Sequence, residues 1–261
     1  MTRGWLAAVA AAAAALGAGA MGLVMVRDLA AGQKAAVVAQ IKAAPVQRPT
    51  VALLSSLPLV FGERFSIDQG GSPMLTRLQT QYRVVPVAMA DSASLTGQRL
   101  LLMAHSRAQP AAVLVELDAW VRRGGRLLLL ADPRLEWHSD RPLGDPLRPP
   151  PDFADTGLLA HWGLRLDGPA VDGPRTGKAG GYEVMTASPG VLASEGPGCT
   201  VEAGGLIARC RIGQGAATVI ADADFLNVEG EGALDGPTQH NLDLLMAELD
   251  RLAAAKPRLS E

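Results

Sequence analysis

The chain is poor in aromatic residues and in cysteine. Of its 261 residues only 4% are Phe, Trp or Tyr, and two are Cys. So few rings argue against the stacking platforms on which single-stranded nucleic acids bind. The charges nearly cancel, with 24 basic against 26 acidic residues, and no basic cluster exceeds a pair of arginines. The sequence therefore lacks the electrostatic footprint of a nucleic-acid-binding protein.

The sequence also lacks the familiar catalytic and cofactor-binding motifs. It contains no Gly-x-Ser-x-Gly elbow or cysteine counterpart, which would raise a nucleophile above a sheet. No Gly-x-Gly-x-x-Gly motif follows a predicted strand, and residues 173–178 lack one position and the final Ser or Thr of a phosphate-binding loop. The four histidines show no metal-ligand spacing. We therefore expect no cofactor, and a non-enzymatic role is favoured without excluding an enzyme.

Hydrophobic residues make up 48% of the chain, which is ample for a core. Apolar residues recur at helical spacing from Val113 to Val121, and Gly124-Gly125 then predicts the end of the helix, because Gly readily takes the left-handed C′ conformation. Residues 126–131 follow, and after Arg126 they form an apolar run with no alternation. Such a run is typical of a strand in a parallel sheet covered by helices on both faces.

Similar patterns extend this interpretation along the chain. Further strands are predicted at residues 50–55 and 84–87, where Pro86 indicates an edge position, and buried strands at 100–104 and 216–221. Helices are predicted from Ser72-Pro73 to Tyr82, within residues 153–162 with Asp152 or Asp155 as the cap, and over 238–254. Short pieces separated by Gly and Pro fill residues 163–211. The predicted fold class is α/β: a three-layer sandwich with a mostly parallel doubly wound sheet, an antiparallel β excursion and an N-terminal transmembrane helix.

The first segment differs in kind from the rest. No charge occurs from Trp5 to Val26. At about 1.5 Å per residue this segment is long enough to cross a bilayer core of about 30 Å. Residues 1–27 are therefore a transmembrane anchor or a cleavable signal segment, the anchor being favoured by the length of the apolar stretch. Residues 28–49 are predicted as a stalk, 50–254 as the α/β domain and 255–261 as a tail.

The two cysteines bracket a predicted hairpin. Cys199 and Cys210 stand on either side of Gly204-Gly205, which has the composition of a turn. In that register the thiols face each other and form a disulfide if the compartment is oxidising, which favours the periplasm. The alternative is a pair of buried, reduced thiols in a cytosolic domain.

Four polar residues follow predicted buried strands: His105, Asp132, Asp222 and Asp224. The carboxyl ends of strands in a doubly wound sheet converge on one crevice, so these side chains are candidates for a shared metal or catalytic site. The alternative is that each aspartate caps the next turn. Two further segments lie at this end of the sheet: the loop 56–72, and the proline-rich residues 132–152, which form either an ordered lid or an irregular loop.

Two segments resemble the GldG-like domain associated with ABC transporters. Residues 113–133, VLVELDAWVRRGGRLLLLADP, are similar to its helix, Gly-Gly, buried strand and Asp. Residues 213–226, GQGAATVIADADFL, and 240–249, HNLDLLMAEL, resemble its closing strand, Asp-x-Asp-Phe turn and Asn-led helix. The likeness covers about residues 50–252. It implies a class I glutamine amidotransferase-like fold without the nucleophile, in which Asp222, Asp224 and Asn241 close the sheet edge and fix the last helix.

The resemblance implies a non-enzymatic, membrane-anchored periplasmic domain, an auxiliary component of an ABC-type transport or envelope system. Its expected partners are the membrane and an ABC permease or ATPase, and its expected location is the inner membrane as a single-pass protein. Larger members of the family carry more membrane segments, so a permease-like role is in doubt. Two alternatives remain: a metal-dependent hydrolase using His105, Asp132 and Asp222, and a small-molecule-binding domain that closes its proline-rich segment over a ligand.

Overall fold

The computed structural model describes residues 48–61, 71–229 and 234–255. The anchor predicted at residues 1–27 and nearly all of the predicted stalk lie outside the described residues, as does the tail beyond Ala255. In these described ranges, no helix combines the length and the apolar character needed to cross a membrane.

Seven strands form the central sheet, in the order β2-β1-β3-β4-β11-β10-β9. The first five are parallel to one another. At one edge β10 pairs antiparallel with β11, and β9 pairs antiparallel with β10. A mixed α/β fold with a mostly parallel sheet is thereby confirmed. The strands are β1 (Thr50–Ser55), β2 (Arg83–Pro86), β3 (Leu100–Ala104), β4 (Arg126–Leu130), β9 (Cys199–Glu202), β10 (Ile207–Ile212) and β11 (Gly215–Ile220).

The antiparallel excursion contains two further ladders. Strand β5 (Leu164–Asp167) pairs with β8 (Val191–Ser194), and β6 (Pro174–Ala179) pairs with β7 (Tyr182–Ala187). The cysteine hairpin is not part of this excursion, because its strands β9 and β10 extend the central sheet beside β11. The connection is local: Gly213 and Gln214 alone separate β10 from β11, and the two strands form a tight hairpin.

Helices cover both faces of the sheet. They are α1 (Pro73–Gln81), α2 (Ala111–Arg122), α3 (Leu158–His161) and α4 (Asn241–Ala254). Alternate residues of β4 point to opposite sides: Leu128 and Leu130 join the core under α1 and α4, whereas Leu127 and Leu129 join the core under α2 and α3. Because both faces are buried, the strand carries leucine at all four positions after Arg126 rather than alternating with polar residues.

Two helix ends form as the sequence predicts. The Ser72 hydroxyl accepts a hydrogen bond from Leu75 N at 3.2 Å, and Pro73 opens α1. After α2, Gly124 takes a φ of 111°, a conformation that strains any residue with a Cβ. The chain then turns directly into β4.

Two helix predictions are wrong in detail. The helix expected over residues 153–162 is a single turn, and its N-cap is Gly157 rather than Asp152 or Asp155. Asp155 instead accepts a hydrogen bond from Gly157 N at 3.0 Å, which fixes a turn before the helix. The last helix begins at Asn241 rather than at residue 238, and its buried face includes the acidic Glu248.

The burial of Glu248 is explained by an arginine from the sheet. Arg209 of β10 donates two hydrogen bonds to Glu248, from Nε to Oε2 at 3.0 Å and from Nη2 to Oε1 at 2.6 Å. Glu248 has no exposed side-chain surface, whereas Glu202, which contacts Arg209 at 2.5 Å, is 52% exposed. Because this pair is bidentate, the desolvation of both charges is offset, and α4 is fixed over the edge of the sheet.

We expect Glu248→Ala to lower the free energy of unfolding by about 3 kcal/mol, because Arg209 would keep a largely buried charge without its main partner. Glu202→Ala is the matched control: it removes an exposed partner of the same arginine and should cost less than about 1 kcal/mol. Chemical denaturation of both variants measures the difference. Equal losses would contradict the assignment of Glu248 as the partner that holds the helix.

Candidate functional site

The sheet topology creates a crevice at the carboxyl ends of β1 and β3. The chain leaves β1 toward α1 on one face of the sheet and leaves β3 toward α2 on the other. Neighbouring strands whose connections depart in opposite directions leave a gap between the two loops, and ligands of open α/β sheets bind in such gaps. The crevice is therefore the place where this fold most readily builds a site.

The three predicted aspartates lie together at the same edge, beyond β4 and β11. Asp132 accepts hydrogen bonds from Arg134 N and Ala223 N, both at 2.8 Å. Asp222 accepts from Phe225 N at 2.7 Å and from Ala187 N at 3.0 Å. Each of these carboxylates thus uses both oxygens to hold main-chain N–H groups.

Asp224 completes the cluster with a single such bond, from Glu136 N at 2.7 Å. All three carboxylates are buried. The N–H donors belong to the proline-rich segment, to β7 and to the turn after β11, so the cluster ties three parts of the chain to the sheet. Asp132 and Asp222 each accept one bond from a nearby residue, as the capping alternative expects. Their other bonds, and that of Asp224, come from residues far away in the chain.

Burial raises the pKa of all three carboxyls. The pKa of Asp132 rises to about 6, mainly through desolvation, while its main-chain hydrogen bonds oppose the rise. The pKa of Asp224 rises to about 8, through desolvation and repulsion by Asp132. Desolvation and the charges of both neighbours raise the pKa of Asp222 well above its usual value. The cluster therefore resists carrying three negative charges at neutral pH.

Asn241 extends the same network to the last helix. Its Oδ1 accepts from Met185 N at 2.9 Å, and its Nδ2 donates to the carbonyls of Met185 and Phe225, both at 2.8 Å. The side chain is fully buried. The start of α4 is thereby fixed to β7 and to the short 3-10 turn Asp224–Leu226 that follows β11.

His105 makes different contacts. It is buried with a φ of 48°, and its Nε2 lies 2.9 Å from the carbonyl oxygen of Pro150. Within the described residues, its Nδ1 and the neighbouring Ser106 hydroxyl have no hydrogen-bond partner. Burial lowers the pKa of His105, and the acidic side chain that opposes this is Asp152. The imidazole therefore supports the proline-rich segment.

A metal site on the predicted residues has no geometric support. Among residues 48–61, 71–229 and 234–255, no group of three or more His, Cys, Asp or Glu side chains is arranged to hold a metal ion. The hydrogen bonds above explain this, because the carboxylate oxygens already face main-chain N–H groups. The bonds from Arg134 N and Phe225 N are those of the capping alternative, whereas the bonds from Ala223 N and Ala187 N could not be predicted from the Asp-x-Asp spacing.

The proline-rich segment is held down at several points. Leu135 N donates to the Pro151 carbonyl at 2.8 Å, and Phe153 N donates to the Asp132 carbonyl at 2.7 Å. Arg107, from the loop after β3, donates from Nη2 to the carbonyls of Pro146, at 2.6 Å, and Arg148. Residues 132–152 thus form an ordered strap over the carboxyl edge of the sheet, with no helix or strand of their own.

A cavity of about 450 Å³ lies beneath this strap, beside the crevice, at the carboxyl ends of β1 and β2; in its lining, Arg107 is the residue that follows β3. Its walls come from the loop after β1, the end of β2, Arg107 and the strap. The loop after β1 was predicted to border a site. Arg107 was not predicted, because the sequence marks it only by its position three residues after β3. The lining includes Leu53, Ser55, Ser56, Leu57, Pro58, Val60, Phe61, Pro86, Val87, Arg141, Pro146 and Leu147.

The two cysteines lie on neighbouring strands at the far edge of the sheet. Cys199 of β9 and Cys210 of β10 are directly opposite in the ladder and are joined in a disulfide. The chain between them passes through a turn in which Gly204 and Gly205 take φ values of 65° and 98°. The disulfide is remote from the crevice and stabilises the edge hairpin.

No family model and no curated protein matches the sequence. Among solved structures, a cytoplasmic protein from Salmonella typhimurium LT2 is 12% identical with a TM-score of 0.51, over 78% of this chain and 99% of that one. An exo-beta-1,4-mannosidase from Opitutaceae bacterium strain TAV5 is 14% identical (TM-score 0.44), over 77% of this chain and 36% of that one. A beta-galactosidase from Rahnella sp. R3 is 15% identical (TM-score 0.46), over 80% and 32%. The chain thus spans about a third of each glycosidase. The Salmonella protein shares the fold, and these low identities show nothing beyond it.

The raised pKa values predict how stability depends on pH. A carboxyl whose pKa is higher in the folded than in the unfolded chain stabilises the fold at low pH and loses that contribution as pH rises toward its folded value. For Asp224 this stabilising contribution is lost between about pH 4 and pH 8. We expect Asp224→Asn, which keeps the acceptor for Glu136 N, to become more stable relative to the wild type by up to about 1.4 kcal/mol per pH unit between pH 5 and 7.

The matched control is Asp155→Asn, since Asp155 is exposed and also accepts one main-chain N–H bond. Its unfolding free energy should run parallel to that of the wild type over the same pH range. Chemical denaturation at several pH values measures both variants. A curve for Asp224→Asn parallel to the wild type would show that the Asp224 carboxyl is not protonated in the fold near neutral pH.

Proposed function

We propose that this chain is a non-enzymatic, membrane-anchored domain of the cell envelope that acts by binding. The observation that carries the proposal is the use of the strand-end carboxylates. Asp132 and Asp222 commit both oxygens to main-chain N–H groups, so they order loops instead of facing a substrate. Recognition of a partner by a surface or a cavity is then the function that this edge of the sheet supports best.

The location in this proposal is the inner membrane, with the α/β domain in the periplasm. The charge-free stretch from Trp5 to Val26 supports a transmembrane helix within residues 1–27. The Cys199–Cys210 disulfide supports an oxidising compartment, because thiols in the cytosol are kept reduced.

The thiol state tests this location. Protein taken from cells under acid quench and alkylated without reductant should gain no alkyl group at Cys199 or Cys210, and should gain two after reduction, as measured by mass spectrometry. A reporter that is active only in the periplasm, fused after Glu261, should be active. Two alkylated cysteines before reduction, or a silent reporter, would contradict a periplasmic domain.

The partner in this proposal is a permease or ATPase of the ABC type, and the domain is its auxiliary component. The support is the GldG-like resemblance of residues 113–133, 213–226 and 240–249, together with a fold in which those segments are neighbours. Strand β4 and strand β11 pair in parallel, and α4 packs on the same sheet.

Site-specific photo-cross-linking in living cells tests this partner. A photoreactive residue at Leu143, which is 89% exposed, or at Val115, which is 70% exposed, samples two surfaces without disturbing the core. We expect at least one position to give an adduct with an ABC permease or ATPase subunit, identified by mass spectrometry, and the same residue at buried Leu128 to give none. Adducts with unrelated proteins alone would contradict the proposal.

The hydrolase alternative has a direct test. A divalent metal bound in stoichiometric amount, and lost in Asp132→Ala and Asp222→Ala, would favour an enzyme over the binding domain proposed above.

A second candidate function is favoured by the cavity. A concave, mostly apolar site of 300 to 1,000 Å³ with a few polar groups is typical of small-molecule binding, and the crevice at about 450 Å³ falls in this range. We therefore also propose that the domain binds a small molecule beneath its proline-rich strap.

A further inference from the structure

The walls of the crevice offer a ligand mainly apolar surface. Leu53 and Leu57 line it from β1 and the loop that follows, and Val87 lines it from the end of β2. The two serines are already engaged: the Ser55 hydroxyl donates to the Ala104 carbonyl at 2.9 Å, and the Ser56 hydroxyl donates to the His105 carbonyl. These hydroxyls tie the two loops together, so their capacity to donate to a ligand is used.

Arg107 is a polar residue of the crevice that still has hydrogen-bond donors unused by the described residues. Its Nη2 bonds to two strap carbonyls, whereas its Nε and Nη1 make no hydrogen bond within the described part of the chain. No carboxylate of those residues lies within 4.0 Å of it, in contrast to Arg141, which pairs with Asp145 at 3.5 Å. The carbonyls orient the guanidinium without neutralising its charge.

We propose that the crevice binds small organic anions with an apolar body, and that Arg107 pairs with the anionic group. Its free Nε and Nη1 can each donate a charge-assisted hydrogen bond to a carboxylate oxygen, while Nη2 stays on the strap carbonyls. The apolar tail then lies against Val60, Phe61 and Val87, apolar lining residues that keep exposed surface, and its removal from water favours binding. The inference depends on the small-molecule function proposed above and names the class of ligand.

Three probes of equal chain length test the ligand class: octanoate, octan-1-ol and octylamine. They are titrated into the full chain at neutral pH by calorimetry, with Val60→Trp measured in matched samples, so that binding elsewhere or to lipid is subtracted. Octanoate should bind at least about tenfold more tightly than octan-1-ol, because a charged hydrogen bond adds about 1.5 kcal/mol or more. Octylamine should bind most weakly.

Variants locate the site and separate its parts. Val60→Trp should abolish binding of octanoate and octan-1-ol by filling the crevice, and Val115→Trp on α2 is the matched control that should leave both unchanged. Arg107→Met should weaken octanoate about tenfold or more and leave octan-1-ol unchanged. Thermal unfolding checks that each variant is folded, and amide shifts of Ser55, Ser56 and Arg107 on adding octanoate give a second measure that needs no variant.

The outcomes distinguish this inference from the function on which it depends. Equal affinities for octanoate and octan-1-ol, or equal losses of both in Arg107→Met, would overturn the recognition of an anion by Arg107 while small-molecule binding stood. Failure of all three probes to bind, or unchanged binding in a folded Val60→Trp together with unmoved amide signals at the crevice, would overturn the site itself.

Discussion

Hydrogen bonds from main-chain N–H groups to buried carboxylates organise the carboxyl edge of this sheet. Burying a carboxylate is costly, and Asp132 and Asp222 offset the cost by accepting two such bonds each. The donors come from segments far apart in the chain, so loops that have no hydrophobic core of their own are held in one place. Removing one of these carboxylates would release several segments at once, which makes the cluster structural before anything else.

The same edge divides into an occupied half and an open half. Beyond β4 and β11 the carboxylates and Asn241 fill the space with satisfied hydrogen bonds. Between β1 and β3 the connections leave in opposite directions, and a cavity remains beneath the strap at the carboxyl ends of β1 and β2. His105 and Arg107 connect the two halves, since both side chains form hydrogen bonds with main-chain carbonyls of the strap. The binding function that we propose rests on this division, in which the open half is apolar and the acidic half holds main-chain N–H groups.

The sequence predicted the elements better than the site. Strands β1 and β3, the cap at Ser72 and the turn at Gly124 follow from patterns a few residues long, in which local physics and burial agree. The helix near residue 158 was overestimated, because Gly157 and a turn at Asp155 shorten it. Glu248 was missed, since its burial depends on Arg209, which is far away in the chain and shows no local signal.

By itself, the sequence determined the fold class, the strands buried on both faces and the positions of the strand-end aspartates, because these depend on hydrophobic periodicity and on the short-range chemistry of Gly, Pro and Ser. Only the tertiary structure decided which distant N–H groups the aspartates hold, and that Arg107, which contacts no carboxylate of the described residues, stands beside an apolar cavity. The physical reason is that hydrogen-bond partners and cavities arise from contacts between distant segments, which local patterns do not encode.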